Sequence, residues 1–168
     1  MKLLLIFLIA LIALTGCVSQ GFDEGIRKLN SIDSKYGVSQ GNIAPASLEQ
    51  INGYREELNS YKAELQSNPF SSEKEKIIEL IDLRLEMNEL QENNLKAIQL
   101  IDSGQACQSL QFFEKAESNA TETETKVNSL RQRHSDLSLS GYFSNVLEII
   151  KIVKQENSNL ISLLEQNC

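Results

Sequence analysis

Apolar residues recur at intervals of three and four along most of the chain after residue 21, and this spacing places them on one face of an α-helix. The chain contains only two prolines, Pro45 and Pro69, and the alternation of β-branched and aromatic residues that is typical of strands is missing. Hydrophobic residues make up 41% of the 168-residue chain, which is too apolar a composition for disorder. The sequence therefore predicts an all-α protein.

Glycine, proline and capping residues divide the pattern into five helical segments. The first segment, residues 22–36, is short and is weakened by Gly25, while Gly37 and Gly104 suit left-handed C-terminal caps. Four long segments follow, at residues 46–67, 72–103, 105–134 and 142–167. Because short turns join segments of similar length, neighbouring helices should run antiparallel. We expect residues 22–168 to form an up-and-down antiparallel helical bundle of four long helices plus a short N-terminal helix.

The apolar faces of the long segments differ in width. The segment 46–67 carries one narrow stripe, similar to a coiled-coil seam, so pairing with a second copy of the chain is one alternative. The segments 72–103 and 142–167 carry the broadest apolar sets, which predicts that they form the inner pair of the bundle. Asn157 falls on the apolar side of the last segment, where a single polar residue often fixes helix register.

Small residues occupy the middle of the apolar stripe of segment 105–134, at Ala116, Ala120 and Thr123. Small side chains allow a neighbouring helix to approach closely, so we expect tight packing there rather than a groove. Near the turns, Phe112 and Tyr142 each precede a second aromatic residue, and adjacent positions on a helix face directions about 100° apart. We expect both rings to cover seams between helices, with exposure as contact points as the alternative.

Residues 1–16 consist of a single lysine near the start, twelve consecutive apolar residues from Leu3 to Leu14, and a small-residue end. This order is typical of a secretory signal peptide, which has a charged start, an apolar core and small residues at the cleavage site. A helix that spans a membrane needs about 20 apolar residues, so this run is too short for that role. The pattern therefore predicts an exported protein.

The residues Leu14-Thr15-Gly16-Cys17 resemble the lipobox of prokaryotic membrane lipoproteins. The resemblance implies that a dedicated peptidase removes residues 1–16 and that the Cys17 thiol carries diacylglycerol, whose two acyl chains anchor a protein stably. Residues 17–21 would then be the lipidated cysteine and a tether that reaches roughly 14 Å when extended. The implied localisation is the extracytoplasmic face of a membrane, in the cell envelope. An ordinary cleaved signal peptide and an uncleaved anchor are the alternatives.

The charge of the chain excludes some partners. The sequence has 16 basic and 23 acidic residues, and loss of residues 1–16 removes only Lys2, which leaves a net charge of −8. An acidic body is repelled by anionic lipids, so the lipid on Cys17 would have to hold it at the membrane. Nucleic acid is not expected as a partner, because binding phosphates requires clustered lysine and arginine residues.

Two further cysteines are expected to meet. Cys107 begins the segment 105–134, and Cys168 lies at about the same distance from the intervening turn near residue 138. A helical hairpin with equal arms returns the chain to its starting level, so both thiols should lie at one end of the bundle. Disulfides persist in exported proteins, and we predict a Cys107–Cys168 disulfide. Closing a loop of roughly 60 residues would stabilise the fold by about 4 kcal/mol.

The sequence offers little for catalysis. Its single histidine, His134, lies near the end of a predicted helix, where interaction with the last carbonyl groups is the usual role. Zinc-type spacing, haem sites, nucleophile elbows and phosphate-binding glycine patterns are missing from the sequence. We therefore expect no catalytic, cofactor-binding or metal-binding residues and no enzyme activity. Asn119 matches a glycosylation acceptor pattern but lies within a predicted helix, so we do not expect it to be modified.

These observations lead to an expected function and two alternatives. We expect a lipid-anchored, extracytoplasmic helical bundle with a non-enzymatic role, which binds or scaffolds a protein partner or an envelope component. The first alternative is a carrier or accessory subunit that holds a small ligand between the third, fourth and fifth helices, and an apolar pocket with a few converging polar groups would favour it. The second is an enzyme, which would require a carboxylate cluster buried in the bundle.

Overall fold

The computed structural model describes residues 21–39, 44–67, 72–134 and 139–168, and these residues form five helices and no strand. The expected all-α bundle is confirmed. Residues 1–20, which contain the signal pattern and Cys17, lie outside the described residues. The helices are α1 at residues 21–35, α2 at Leu48–Ser67, α3 at Ser72–Asp102, α4 at Ala106–Arg133 and α5 at Ser140–Asn167.

The helix boundaries follow local chemistry. Gly37 and Gly104 have positive φ angles, 72° and 77°, as expected for left-handed caps after α1 and α3. Helix α2 begins two residues later than predicted, because Ser47 is its cap: the Gln50 N–H donates to Ser47 Oγ at 3.3 Å. Helix α5 begins two residues earlier than predicted, at Ser140.

The order of packing differs from the expected one. Helix α3 packs against α2 on one side and α4 on the other, and α4 in turn packs against α5. Among the four long helices, α3 and α4 each pack against two others, whereas α5 packs closely against α4 alone, so the prediction that α3 and α5 form the inner pair is wrong. The small residues of α4 are fully buried, and small side chains allow neighbouring helices to approach closely: Ala116, Ala120 and Thr123.

Helix α1 packs on α2 and α3, and Gly25 makes this packing close. A Cβ atom at residue 25 would lie 2.1 Å from Ile77 Cδ1 on α3. The Gly25 carbonyl also accepts a hydrogen bond from the Tyr61 hydroxyl of α2 at 3.2 Å. The glycine that weakens the helical pattern in the sequence therefore leaves room for this close contact between helices.

The narrow apolar stripe of α2 is used within the chain. One of its residues, Leu65, is half-buried against the main core. The other four are almost completely buried, between 0% and 4% exposed: Ile51, Tyr54, Leu58 and Tyr61. Most of them join the main core, which also takes in α1, the first half of α3, the second half of α4 and the start of α5. Because the stripe is covered by α1 and α3, it is not available as a seam for a second copy.

The two ends of the bundle differ in helix number. At one end, called here the five-helix end, the start of α1 meets the end of α2 and the start of α3, and Glu79 of α3 pairs with His134 after α4. The first turns of α2 lie beside Asn88 and Glu92, so the last turns of α3 extend past them. At the opposite, three-helix end, α3, α4 and α5 share a second core of Ala97, Phe113 and Leu164.

The cysteines lie at the three-helix end. The Cα atoms of Cys107 and Cys168 are 5.5 Å apart and their sulfur atoms lie at disulfide distance, as the equal-arm argument predicts. Asn157 is 3% exposed and lies on the buried side of α5, also as predicted. The bond would join the start of α4 to the end of the chain, where the last turn of a helix otherwise frays.

Candidate binding site

A buried ion pair joins α1 to α3. The Arg84 Nε donates to both carboxylate oxygens of Asp33, at 3.0 and 2.9 Å, and a terminal guanidinium nitrogen lies 2.8 Å from Asp33 Oδ2. The side chains are only 7% and 12% exposed. Taking two charges out of water is costly, and only good geometry with further hydrogen bonds offsets that cost. The contacts of this pair meet both conditions.

Helix α2 contributes the further hydrogen bond. The Tyr54 hydroxyl donates to Asp33 Oδ1 at 2.6 Å, and Tyr54 is completely buried. Burial, and then the negative charge of Asp33, raise the pKa of Tyr54 above its ordinary value, so the hydroxyl remains a donor. Three helices therefore converge on one carboxylate.

Helix α5 contributes Tyr142. The Arg84 guanidinium carbon lies 5.0 Å from the centroid of the Tyr142 ring, which is a cation–π contact. Burial raises the pKa of the Tyr142 hydroxyl. This hydroxyl is buried and has no hydrogen-bond partner among the described residues. A buried donor without an acceptor costs about 1–3 kcal/mol, so such a group calls for an explanation.

A cavity of about 420 Å³ lies beside the ion pair, between α1, α3 and the start of α5. Its polar lining consists of Asn30, Asp33, Ser34, Ser39, Arg84, Tyr142 and Asn145. Its apolar lining consists of Ile26, Val38, Leu80, Met87, Leu139 and Val146. The combination of apolar walls and a few polar groups is typical of small-molecule sites.

The hydrogen bonds of the ion pair decide which polar groups of the site remain available. Asp33 accepts hydrogen bonds from Arg84 and Tyr54, so its oxygens are already engaged. Arg84 also donates to the Leu80 carbonyl at 3.4 Å. The site therefore offers a neutralised ion pair and spare N–H and O–H donors to a molecule in the cavity.

A second concavity lies over α3, between α2 and α4, and is lined by charged residues. Each of its basic residues is paired with an acidic one, in the pairs Arg55–Glu92, Lys62–Asp82, Lys96–Glu92, Lys115–Glu89 and Lys126–Glu86. Such partly exposed pairs contribute little each and are typical of a solvated helix surface. We therefore interpret this concavity as a row of surface ion pairs.

The structure also locates the other residues that the sequence singles out. His134 Nε2 lies 2.5 Å from Glu79 Oε2, so its partner is a carboxylate on α3 rather than the last carbonyl groups of α4. No group of three metal-ligating side chains is found in the described part of the chain. Asn119 lies within α4 and its Nδ2, the atom that a glycan would join, is buried. Phe112 and Tyr142 are half-buried and pack against the cores, as expected of residues that cover seams.

The Asp33–Arg84 pair was not anticipated from the sequence, although a signal for it exists. Arg84 follows Leu80 and Ile81 by four and three positions and precedes Asn88 by four, so it falls on the buried face of α3. A charged residue in the middle of an apolar stripe needs a partner when that stripe is buried. The spacing along α3 does not say that the partner lies 51 residues away, on α1.

Comparison of the chain with protein-family models, curated proteins and solved structures found no match. Among the helices that the structure describes, none combines the length and the apolar composition needed to cross a membrane. Function is therefore assigned from the site and from the sequence that precedes α1.

Proposed function

We propose that this protein is a lipid-anchored, extracytoplasmic binding or scaffolding protein without enzymatic activity. The observation that carries the proposal is Leu14-Thr15-Gly16-Cys17, placed directly after a short apolar run and four residues before the first described residue of α1. The pairing of Cys107 with Cys168 supports export, because disulfides persist outside the cytoplasm.

The anchor would fix the orientation of the bundle. The start of α1 lies at the five-helix end, and the tether from Cys17 reaches roughly 14 Å, so that end would face the bilayer. Helix α3 has 31 residues and is therefore about 46 Å long at 1.5 Å per residue. The three-helix end would project from the membrane by about that length, which suits a protein that contacts an envelope partner.

Exposed apolar side chains supply surface for such a partner. Ile152 and Leu163 of α5 are 51% and 57% exposed, and their separation of eleven residues places them on one face of the helix. Ile98 and Ile101, near the end of α3, are 45% and 36% exposed. We infer that a protein partner would bind along these faces, away from the five-helix end.

The second candidate function is binding of a small ligand. A specific observation favours it: the 420 Å³ cavity beside the Asp33–Arg84 pair, which has apolar walls and converging polar groups. The site differs from the expected one, because it lies between α1, α3 and α5 rather than among the third, fourth and fifth helices alone. In this form of the proposal, the anchor holds a ligand-binding bundle close to the bilayer.

Mass spectrometry of the native protein tests the anchoring part. We expect the N-terminal peptide to begin at Cys17 and to carry the mass of diacylglycerol, with or without a further acyl chain. The Cys17→Ala variant should be lost from the membrane fraction. The double variant Cys107→Ala and Cys168→Ala, which also lacks thiols, should remain in that fraction. A native chain that begins with an unacylated Cys17, or that retains residues 1–16, refutes the anchor.

Crosslinking in intact membranes tests the binding part. We expect one defined partner to co-purify with the wild-type chain and with Ser144→Lys, a change at an exposed residue of α5. Ile152→Lys and Leu163→Lys together should lose it, because they place charge on the apolar face of α5. Repeated purification without any partner, or a partner that both variants retain equally, contradicts scaffolding through this face.

A further inference from the structure

We propose that the cavity between α1, α3 and α5 binds a small, uncharged and mostly apolar molecule that carries a hydrogen-bond-accepting oxygen, such as a ketone, ester or quinone carbonyl. The inference rests on the small-ligand form of the proposed function and names the ligand chemistry of that site. Three properties of the cavity carry it: its size and walls, the neutrality of its ion pair, and an unpartnered hydroxyl.

The size and walls of the cavity select an apolar body. A volume of about 420 Å³ lies within the range of roughly 300–1,000 Å³ that is typical of small-molecule sites. Each of the three helices contributes apolar wall, with Ile26 on α1, Met87 on α3 and Val146 on α5 as examples. A compact hydrocarbon or aromatic body would exclude water from this surface.

The ion pair selects an uncharged ligand. Asp33 and Arg84 are the charged residues of the lining, and they neutralise each other at 2.8 to 3.0 Å. An anionic ligand would be brought beside the Asp33 carboxylate, and a cationic ligand beside the Arg84 guanidinium. Either charge would lose water and meet a like charge of the pair as closely as the opposite one, so it would gain little net attraction to offset the loss. A neutral molecule avoids this cost.

The unpartnered groups select an acceptor. The Tyr142 hydroxyl is buried without a partner among the described residues, and Tyr142 lines the cavity. The guanidinium of Arg84 has five N–H donors, of which Asp33 and the Leu80 carbonyl engage only some. Both residues therefore line the cavity and carry a donor that the described residues leave unused, and a carbonyl oxygen is the group that matches such a donor. A pure hydrocarbon would leave the Tyr142 hydroxyl unsatisfied.

Fluorine NMR of four matched aromatic probes tests this chemistry with the full-length protein in lipid nanodiscs. The probes are para-fluoroacetophenone, which is neutral with a carbonyl, para-fluorobenzoate, which is anionic, para-fluorobenzylammonium, which is cationic, and para-fluorotoluene, which lacks an acceptor. We expect the fluorine signal of para-fluoroacetophenone to broaden most. The charged probes should bind about tenfold more weakly, because they lose the water around their charge when they enter the cavity.

Substitutions at two serines distinguish binding in the cavity from partition of the probe into lipid. Ser34 and Ser144 are both exposed, and each donates its hydroxyl to the carbonyl four residues earlier, at 2.8 and 2.9 Å. Ser34 lines the cavity, whereas Ser144 does not. Ser34→Trp should block the cavity and remove the protein-dependent broadening, and Ser144→Trp should retain it. Nanodisc lipid contributes equally to both.

Tyr142→Phe tests the hydroxyl itself. Removal of one neutral hydrogen bond should weaken the binding of para-fluoroacetophenone about fivefold and leave the binding of para-fluorotoluene unchanged. Equal broadening with Ser34→Trp and Ser144→Trp, or tighter binding of a charged probe than of the ketone, overturns the proposal. Binding of para-fluoroacetophenone that persists in Cys17→Ala supports the proposed cavity site whether or not Cys17 carries a lipid. The ligand proposal and the anchor proposal can therefore be refuted independently.

Discussion

Replacing Asp33 with asparagine should destabilise the bundle by about 3–5 kcal/mol, because it leaves the Arg84 cation buried without a counter-charge. Asparagine has nearly the shape of aspartate and still offers an oxygen to the Tyr54 hydroxyl, so the change removes mainly the charge. Arginine cannot escape the cost by losing its proton, since its pKa lies above 12. The substitution therefore isolates the electrostatic contribution of the pair.

The magnitude follows from burial and distance. The bonded nitrogen and oxygen atoms of Arg84 and Asp33 are 2.8 to 3.0 Å apart. Two unit charges even about 4 Å apart attract by about 4 kcal/mol at the effective dielectric constant of 20 that suits protein sites. The exposed fractions of 7% and 12% leave little solvent to reduce this attraction. A domain of this size has a total stability of about 5–15 kcal/mol, so the loss is a large fraction of it. Each kcal/mol lowers Tm by about 2–4 °C at this chain length, and we expect a decrease of about 12 °C.

Urea unfolding followed by circular dichroism measures the effect on an oxidised chain that begins at residue 18. A double-mutant cycle with Arg84→Met completes the test: the variant without either charge should be more stable than Asp33→Asn alone. Glu57→Gln is the matched control, because the Lys35–Glu57 pair also joins α1 to a neighbouring helix but lies at the surface, with side chains 60% and 35% exposed. Its unfolding midpoint should not shift measurably.

The cycle can refute this reasoning. If Asp33→Asn and Glu57→Gln have equally small effects, Arg84 is not confined to a buried site. If the effects of Asp33→Asn and Arg84→Met simply add, the two residues do not interact, and the convergence of α1, α2 and α3 on one carboxylate does not stabilise the fold.

Three further predictions concern other parts of the bundle. Burial raises the pKa of Tyr61 to about 12, and burial also raises the pKa values of Tyr54 and Tyr142 at the candidate site. These three tyrosines should therefore resist ionisation in an alkaline absorbance titration. Their stabilising contribution is complete below the unfolded pKa of 10.0 and should be lost as the pH rises through the folded values. Ionisation of these three tyrosines near pH 10 in the folded protein contradicts this. Gly25→Ala should lower the free energy of unfolding by about 1–3 kcal/mol, because the new Cβ meets a side chain of α3. The control is Gly141→Ala, whose Cβ meets nothing within 4 Å, and it should be neutral or stabilising. Equal effects of the two changes exclude the close contact. Denatured but unreduced protein should present neither thiol of the Cys107–Cys168 pair to an alkylating reagent, and reduction should cost about 4 kcal/mol; two alkylated thiols rule out the bond.

The bundle was largely predictable because helical periodicity is local information. Intervals of three and four, two prolines and two cap glycines are read along the chain, and the structure places five helices close to the predicted ranges. The meeting of Cys107 with Cys168 was equally predictable, since equal helical arms fix the level of both thiols once the hairpin is assumed. Boundaries moved by about two residues where a cap, such as Ser47, decides the first turn.

The order of the helices was not predictable from the width of their apolar faces. Helix α5 is rich in apolar residues, yet Ile152 and Leu163 remain exposed, while α4, with its small side chains, lies closely packed between α3 and α5. Width measures how much apolar surface a helix has. The distance between helix axes depends on how small the facing side chains are, and that is a property of pairs of helices.

The candidate site depends on the tertiary structure in the same way. The sequence by itself determined that the chain is helical, where the helices begin and end to within about two residues, and that a lipobox-like segment precedes them, because each of these depends on neighbouring residues. Only the packing of α1, α2, α3 and α5 decided that Asp33 meets Arg84 and Tyr54, and that a cavity remains beside Tyr142. Those contacts join residues 21 to 51 positions apart, and no local pattern specifies which distant partner a buried charge will find.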